Sequence, residues 1–241
     1  MKILSIDTAS DLCTVAILED KECIKEITIS DARNHSEKIM PIIEQVLAES
    51  NLNLKDINLF VCDKGPGSFT GIRIGVATVL AFQDSLDIPA VGINSLEALA
   101  YNVKQNGIIC SLIDAKNNNV YLGIFKLENN EYIKCQEPKF ANIDKAISLL
   151  KTYSSSITFV GDGAIAYKDL LKSNLENCLF IDKNDLSSYS LGLAGFETYK
   201  KGIETSLMPL YLRKSQAERA LEEKLKKEWF KWKSLQWPYK I

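Results

Sequence analysis

The chain has 241 residues, 46% of them hydrophobic and 25% charged, with a formal net charge of −2. That length builds one large domain or two small lobes, and the composition excludes a disordered or low-complexity chain. The slightly acidic balance argues against a protein that grips nucleic acid over its whole surface, because such chains carry a basic surplus.

No apolar stretch approaches a membrane span, and Asp7 interrupts the first apolar run too early for a signal peptide. The expected location is the cytoplasm, without membrane contact. The six cysteines (13, 23, 62, 110, 135 and 178) form no C-x-x-C pair and sit mostly in apolar runs, which predicts reduced, buried thiols. His35 is the only histidine, so a metal site built from several imidazoles or thiolates at short spacing is not supplied.

In chain order, "ILSIDTASDLCTVAIL" (Ile3 to Leu18) reads as strand, Asp7, polar turn, strand. A helix follows at about Ser36 to Ser50, with Ile39, Ile43, Val46 and Leu47 on one stripe and Met40 and Ile42 off it. Pro41 removes a helical hydrogen bond unless it falls near the first turn. "INLFVCDKGPGS" (Ile57 to Ser68) is a buried strand, Asp63 and a glycine loop, and Ser68 or Thr70 can cap the helix that comes next. The form then recurs. "IICSLIDAKNNNVYLGIF" (Ile108 to Phe125) repeats the hairpin, about Ile143 to Tyr153 reads as helix, and "ITFVGDGA" (Ile157 to Ala164) repeats strand, Asp162 and glycine. The aspartates lie 56 positions apart in the first half and 48 in the second.

Two echoes in one order predict an α/β protein of two RNase H-like, actin-like ATPase lobes with mixed sheets. The expected boundaries are 1–105 and 106–213, with 214–241 as a helical tail. By fold analogy alone the cleft between such lobes holds nucleotide at the strand-end aspartates. Asp7, Thr8, Asp114, Gly161, Asp162 and Gly163 are therefore the candidate cleft.

The loop "DKGPGSFTGIRIG" (Asp63 to Gly75) fits neither the P-loop nor the dinucleotide fingerprint, because its glycines are misspaced and Gly71 is followed by Ile72. The first turn, Asp7 to Asp11, has two carboxylates and no glycine to turn its N–H groups toward an anion. Phosphate binding there is not favoured, and nucleotide in the cleft stays open. In the helix after the loop, Ile72, Val76, Val79 and Leu80 make an apolar face, and Gly71, Gly75, Thr78 and Phe82 a second stripe. Glycine inside a helix costs ~1 kcal/mol against alanine, a cost offset where another backbone comes close. The stripe meets either its own lobe or a partner. Surplus apolar surface on both helices points to a partner, with Ile39, Ile43, Gly71, Ile72, Gly75, Val76, Thr78 and Val79 as the interface and Arg73 at its rim. Gly75→Leu or Val76→Glu is then expected to weaken pairing and leave the monomer folded.

"ILSIDTAS", "HSEKIMPIIEQVL", "GPGSFTGIRIG", "GDGA" and "PLYLRKSQAE" occur in one order, and together they resemble the bacterial TsaB (YeaZ) family over residues 1 to about 220. The resemblance implies a non-catalytic scaffold in forming N6-threonylcarbamoyladenosine next to the anticodon of tRNAs that read codons starting with A. It implies pairing with a catalytic TsaD-like paralogue through the N-terminal lobe helices, a TsaE-like P-loop ATPase as a third member, and a homodimer when the chain is alone. tRNA would be met indirectly, through the complex. The paralogue holds a metal with two histidines spaced H-x-x-x-H; here His35 is followed four residues later by Ile39, so no metal, no catalysis and no tightly bound cofactor are expected. ATP or ADP bound weakly, or at the partner interface, stays open. The alternatives are an independent actin-like ATPase or kinase, and a homologue of the M22-type peptidases.

The tail from Arg213 to Ile241 has nine Lys or Arg against four Glu, a surplus of +5 that leaves −7 for the rest of a chain totalling −2. Ala217, Leu221, Leu225 and Trp229 recur every four residues and predict a helix. All three tryptophans, Trp229, Trp232 and Trp237, are here. Packing on the second lobe or a protein contact is favoured over RNA stacking or a membrane surface, because glutamates interrupt the basic residues.

Overall fold

The computed structural model describes residues 1–30, 35–214 and 216–235. The first sheet contains β1 (Lys2–Asp7), β2 (Leu12–Glu19), β3 (Glu22–Ser30), β4 (Leu59–Asp63) and β5 (Ala90–Ile93) in the order β3-β2-β1-β4-β5. The second contains β6 (Gly107–Asp114), β7 (Asn119–Glu128), β8 (Glu131–Asn142), β9 (Ile157–Val160) and β10 (Cys178–Phe180). Its order is β8-β7-β6-β9-β10, the same arrangement. In each sheet an antiparallel hairpin meander is extended by parallel strands on its other side. The internal repeat is therefore structural.

β1 reads as a nearly continuous apolar run because both its faces are covered. Alternate side chains serve two different cores. Leu4, Ile6, Phe60 and Cys62 point to the outer layer, α1 (His35–Glu49) and α2 (Phe69–Leu86). Ile3, Leu59 and Val61 point inward to a core shared by both lobes. The second sheet does the same: Cys110, Leu112 and Phe159 face α4 (Ile143–Leu150) and α6 (Lys168–Asn174), while Ile109, Phe125 and Val160 face the shared core.

Two helices fill that middle layer, and each serves the opposite half. α3 (Ser95–Ala100), from the first half, packs on β6 and β7; α7 (Ser188–Lys200), from the second, packs on β1, β2, β4 and β5. α7 is buried from Ser188 to Phe196 except for the half-buried Tyr189, as a helix covered nearly all round should be. Its start is held by the first lobe: Glu26 on β3 accepts from Ser187 Oγ at 2.8 Å and from Tyr189 N at 3.0 Å. Ser188 Oγ bonds Thr14 Oγ1 at 2.6 Å and donates to the Thr14 carbonyl at 2.7 Å. Position 105/106 falls between the two sheets, but the packing crosses it. Residues 203–212, assigned to the second lobe, also run over the first: Gly92 N on the edge strand β5 donates to Thr205 Oγ1 at 2.9 Å, and Leu210 N to the Lys64 carbonyl at 2.7 Å.

α8 (Gln216–Leu235) forms the expected tail helix. Leu221 and Leu225 are more than half exposed, so the stripe is not buried on the second lobe. Trp237 and the rest of 236–241, with the side chains of Ala217 and Trp232, lie outside the described residues. The cysteine expectation needs correction. Cys13, Cys62 and Cys110 are buried, but Cys23 and Cys135 are exposed and Cys178 half-buried, because these three sit on the sheet-edge strands β3, β8 and β10. Pro41 lies well inside α1, on its exposed face, where water can satisfy the carbonyl it leaves unpaired.

Candidate functional site

β1 and β4 are parallel neighbours, with Ile6 opposite Cys62, so Asp7 and Asp63 end adjacent strands side by side. Both are 1% exposed. Asp7 Oδ1 accepts from Ala9 N at 2.7 Å, and Asp63 Oδ1 accepts from Gly65 N at 2.7 Å and Ser95 Oγ at 2.8 Å. Neither Oδ2 has a hydrogen-bond partner among the described residues. Two buried carboxyls side by side each oppose the other's ionisation. Burial lifts Asp7 to about 6, and burial together with the Asp7 charge lifts Asp63 well above the usual carboxylate range. Both shifts favour the protonated carboxyl.

The glycine loop explains why these groups are sealed. Ser68 N donates to the Ala9 carbonyl at 2.7 Å, and Thr8 Oγ1 donates to the Gly71 carbonyl at 2.7 Å. A Cβ on Gly71 would stand 1.8 Å from the Thr8 carbonyl oxygen, and one on Gly75 2.6 Å from Thr8 Oγ1. The glycines therefore let α2 lie against the first turn of their own lobe. The second lobe uses the same device: a Cβ on Gly161 would stand 2.1 Å from the Leu112 carbonyl oxygen, and Gly163 abuts the same strand end.

This placement corrects the expected interface. Ile39, Ile43, Ile72, Val76 and Val79 are buried in the core of the first lobe, and Gly71 and Gly75 face Thr8. Thr78 is half-buried and Arg73 exposed. The outward stripe of α2 is one step round the helix: Ile74, Ala77, Thr78 and Ala81, with Leu80 and the α1 residue Met40 exposed nearby. Ala77, Thr78 and Ala81 make it a small-residue stripe, while Ile74 is half-buried against the first lobe's core.

A cavity of ≈ 560 Å³ lies between the lobes. Of the six expected cleft residues, Asp114 and Asp162 line it; Asp7 and Thr8 are sealed beneath, and Gly161 and Gly163 pack on strand β6. Asp162 Oδ1 accepts from Asp114 N at 3.0 Å, and burial raises its carboxyl. Partial burial opposes the Asp114 charge, but Lys116, through its N–H at 2.9 Å and its ammonium at 2.8 Å, outweighs it and holds the carboxyl below the usual value. The turn that carries Lys116 is left-handed over three residues, Lys116, Asn117 and Asn118, a conformation asparagine tolerates better than most. Asp11 and Asp185 add two more carboxylates to the cavity wall.

One wall was missing from the sequence reading. Tyr211 stacks on Phe69 with centroids 4.7 Å apart and accepts from Arg73 Nε at 2.7 Å. Two residues on, Arg213 donates to the Ala115 carbonyl at 2.8 Å and covers the Phe140 ring. The segment passes from the first lobe to the second across the cleft mouth. "PLYLR" stood out as a motif, but only its packing assigns it this place.

Two five-stranded sheets of identical order, joined by exchanged helices around a cleft, define a two-lobed protein of the RNase H-like, actin-like ATPase fold. A ROK hexokinase from Thermus thermophilus shares it at a TM-score of 0.53 and 9% identity, over 84% of this chain and all of that one. YeaZ from Pseudomonas aeruginosa superposes with a TM-score of 0.75 at 23% identity, covering 88% of this chain and 99% of that one. The family model for TsaD, tRNA N6-adenosine threonylcarbamoyltransferase, matches residues 22–221. The tRNA threonylcarbamoyladenosine biosynthesis protein TsaB of Bacillus subtilis is 30% identical over 222 residues, 90% of this chain and 96% of the relative. The chain belongs to the TsaB (YeaZ) family. Among the described residues no helix is long and apolar enough to cross a membrane.

Proposed function

We propose that the chain is a non-catalytic subunit in the synthesis of N6-threonylcarbamoyladenosine on tRNA, docking through the outward face of α1 and α2 onto a catalytic TsaD-like paralogue, with a TsaE-like ATPase completing the assembly. The observation that carries this reading is at the start of α1. His35 is 5% exposed, and one turn later, where a second imidazole would be needed to share an ion, Ile39 sits in the core. The residues present do not fit the paralogue's metal. The sealed Asp7–Asp63 pair under the glycine loop supports the same reading, since its burial leaves neither strand-end carboxyl open to a magnesium phosphate. Docking onto a partner is a use for a small-residue stripe that faces water, because such a stripe lets helix axes approach to ~8 Å. The same face would join two copies when the chain is alone.

The test is co-purification with the cell's own TsaD-like protein, followed by threonylcarbamoylation of tRNA with and without this chain. The expected result is a stable complex and activity only when both chains are present. Transfer of the group by this chain alone, or turnover of magnesium ATP by it in calorimetry, would overturn the reading.

A further inference from the structure

On the outer side of the Tyr211–Arg213 crossing lies a second cavity, of ≈ 420 Å³, walled by Phe69, Arg73, Tyr211, Arg213 and Lys214 with Glu218 at its edge. Its cations are arranged in an unusual way for an acidic chain. Among the described residues neither Arg73 nor Arg213 has an ion-pair partner. Each is held instead by neutral acceptors and rings: Arg73 by the Tyr211 hydroxyl and ring, Arg213 by the Ala115 carbonyl and Phe140. Arg73 spends only its Nε–H and Arg213 only one terminal N–H on these contacts. Two oriented guanidiniums with donors to spare and no ion pair among the described residues suit a tetrahedral oxyanion.

We propose that this cavity binds a phosphodiester of an RNA strand, with Arg73 and Arg213 on the phosphate and the half-exposed Phe69–Tyr211 stack beside the adjoining base. The choice of RNA rests on the proposed role in tRNA modification; the anion site itself does not. The charge distribution separates this place from the cleft behind it. The cleft wall carries Asp11, Asp114, Asp162 and Asp185 against Lys116, Arg213 and Lys214, so its carboxylates outnumber its cations. The outer cavity has Arg73, Arg213 and Lys214, the last ion-paired with Glu222, against Glu218, so its cations outnumber its carboxylates. Aromatic faces beside a basic surface accept single-stranded bases regardless of sequence. The net charge of −2 is therefore compatible with RNA contact, because the positive charge is local.

The experiment is an anisotropy titration of labelled tRNA, and separately of labelled ATP, onto the full chain, alone and co-purified with the catalytic paralogue. Arg73→Ala is the main variant, since its side chain is exposed and its contacts are to the exposed Tyr211; circular dichroism checks its fold. It should weaken tRNA binding by about tenfold and reduce the log–log salt slope by about one. Arg73→Lys should keep most of the affinity, and Tyr211→Phe, which keeps the stack but removes the hydroxyl that orients Arg73, should fall between. Equal tRNA affinity of wild type and Arg73→Ala in both settings overturns the proposal. So does saturable ATP binding that is lost in Arg73→Ala and displaces tRNA, which would make this a nucleotide site. If the paralogue does not bind while Arg73-dependent tRNA binding persists, the docking role fails and this site stands; if pairing and activity persist without it, only this site fails.

Discussion

The raised carboxyl pKa values of Asp7 and Asp63 make the stability of the first lobe depend on pH in the direction opposite to a salt-bridged carboxylate. Asp7 is raised in the folded chain to about 6 from 3.8, so between those values the native state binds more protons than the unfolded one. Stability is then greatest at the acidic end and falls as pH rises through that window, by ~3 kcal/mol for a shift of about two units in a fully buried group. Asp63, raised further, extends the decline to higher pH. Asp63→Asn keeps an acceptor for Gly65 and Ser95 and gives Asp7 a permanent donor, so its melting temperature should vary less between pH 5 and 8 than that of the wild type. A steeper fall in the variant would mean that the pair is not protonated. A second expectation concerns Gly71→Ala: the added carbon meets a backbone oxygen that cannot swing away, and thermal melts should show a loss of ~1–3 kcal/mol or more. Both aspartates were legible as strand-end residues from their motifs. Their burial was not, because it depends on β4 lying beside β1 and on a loop folding back over both.

On the helices, the sequence located the right elements and the wrong face. The small residues of α2 form two adjacent stripes. Gly71 and Gly75 meet Thr8, whereas Ala77, Thr78 and Ala81 meet solvent. Nothing in helical periodicity distinguishes a close approach within the lobe from one to a partner, since both need the same side-chain volume. The apolar stripe Ile72, Val76 and Val79 was read correctly as a face, but it is the face that covers the sheet. The outcome for mutations therefore reverses. Val76→Glu places a charge in the core and should destabilise by roughly 3–5 kcal/mol, unfolding the chain as seen by circular dichroism. Thr78→Arg, on the outward stripe, should leave the melting curve within about 0.5 kcal/mol of wild type. It should still abolish the complex with the paralogue in size-exclusion chromatography. A folded Val76→Glu chain that no longer pairs would restore the original assignment.

Across the molecule, the repeated aspartate hairpins were enough to announce two lobes, and the strand orders agree. The exchange of α3 and α7 between them was not visible. Sequence order says only that α3 follows the first sheet and α7 the second, and their crossing is settled by which sheet faces lie bare. Glu26 shows how strongly the exchange is held: a β3 carboxylate from the first half accepts from the first residues of a helix some 160 positions later. Glu26→Ala should cost ~1–2 kcal/mol, the scale of losing a helix cap, in chemical denaturation; no change would show that α7 is held by its apolar contacts alone.

The traded helices also decide where this polypeptide can be cut. Severed after residue 105, the leading piece would keep its sheet but lose the cover that α7 lays over Ile3, Leu59 and Val61, while the trailing piece would lose α3 from the opposite sheet. Neither fragment could hide its bare sheet from water unaided. The two should accumulate in soluble form only when synthesised together, and the intact protein should melt in a single calorimetric step rather than lobe by lobe.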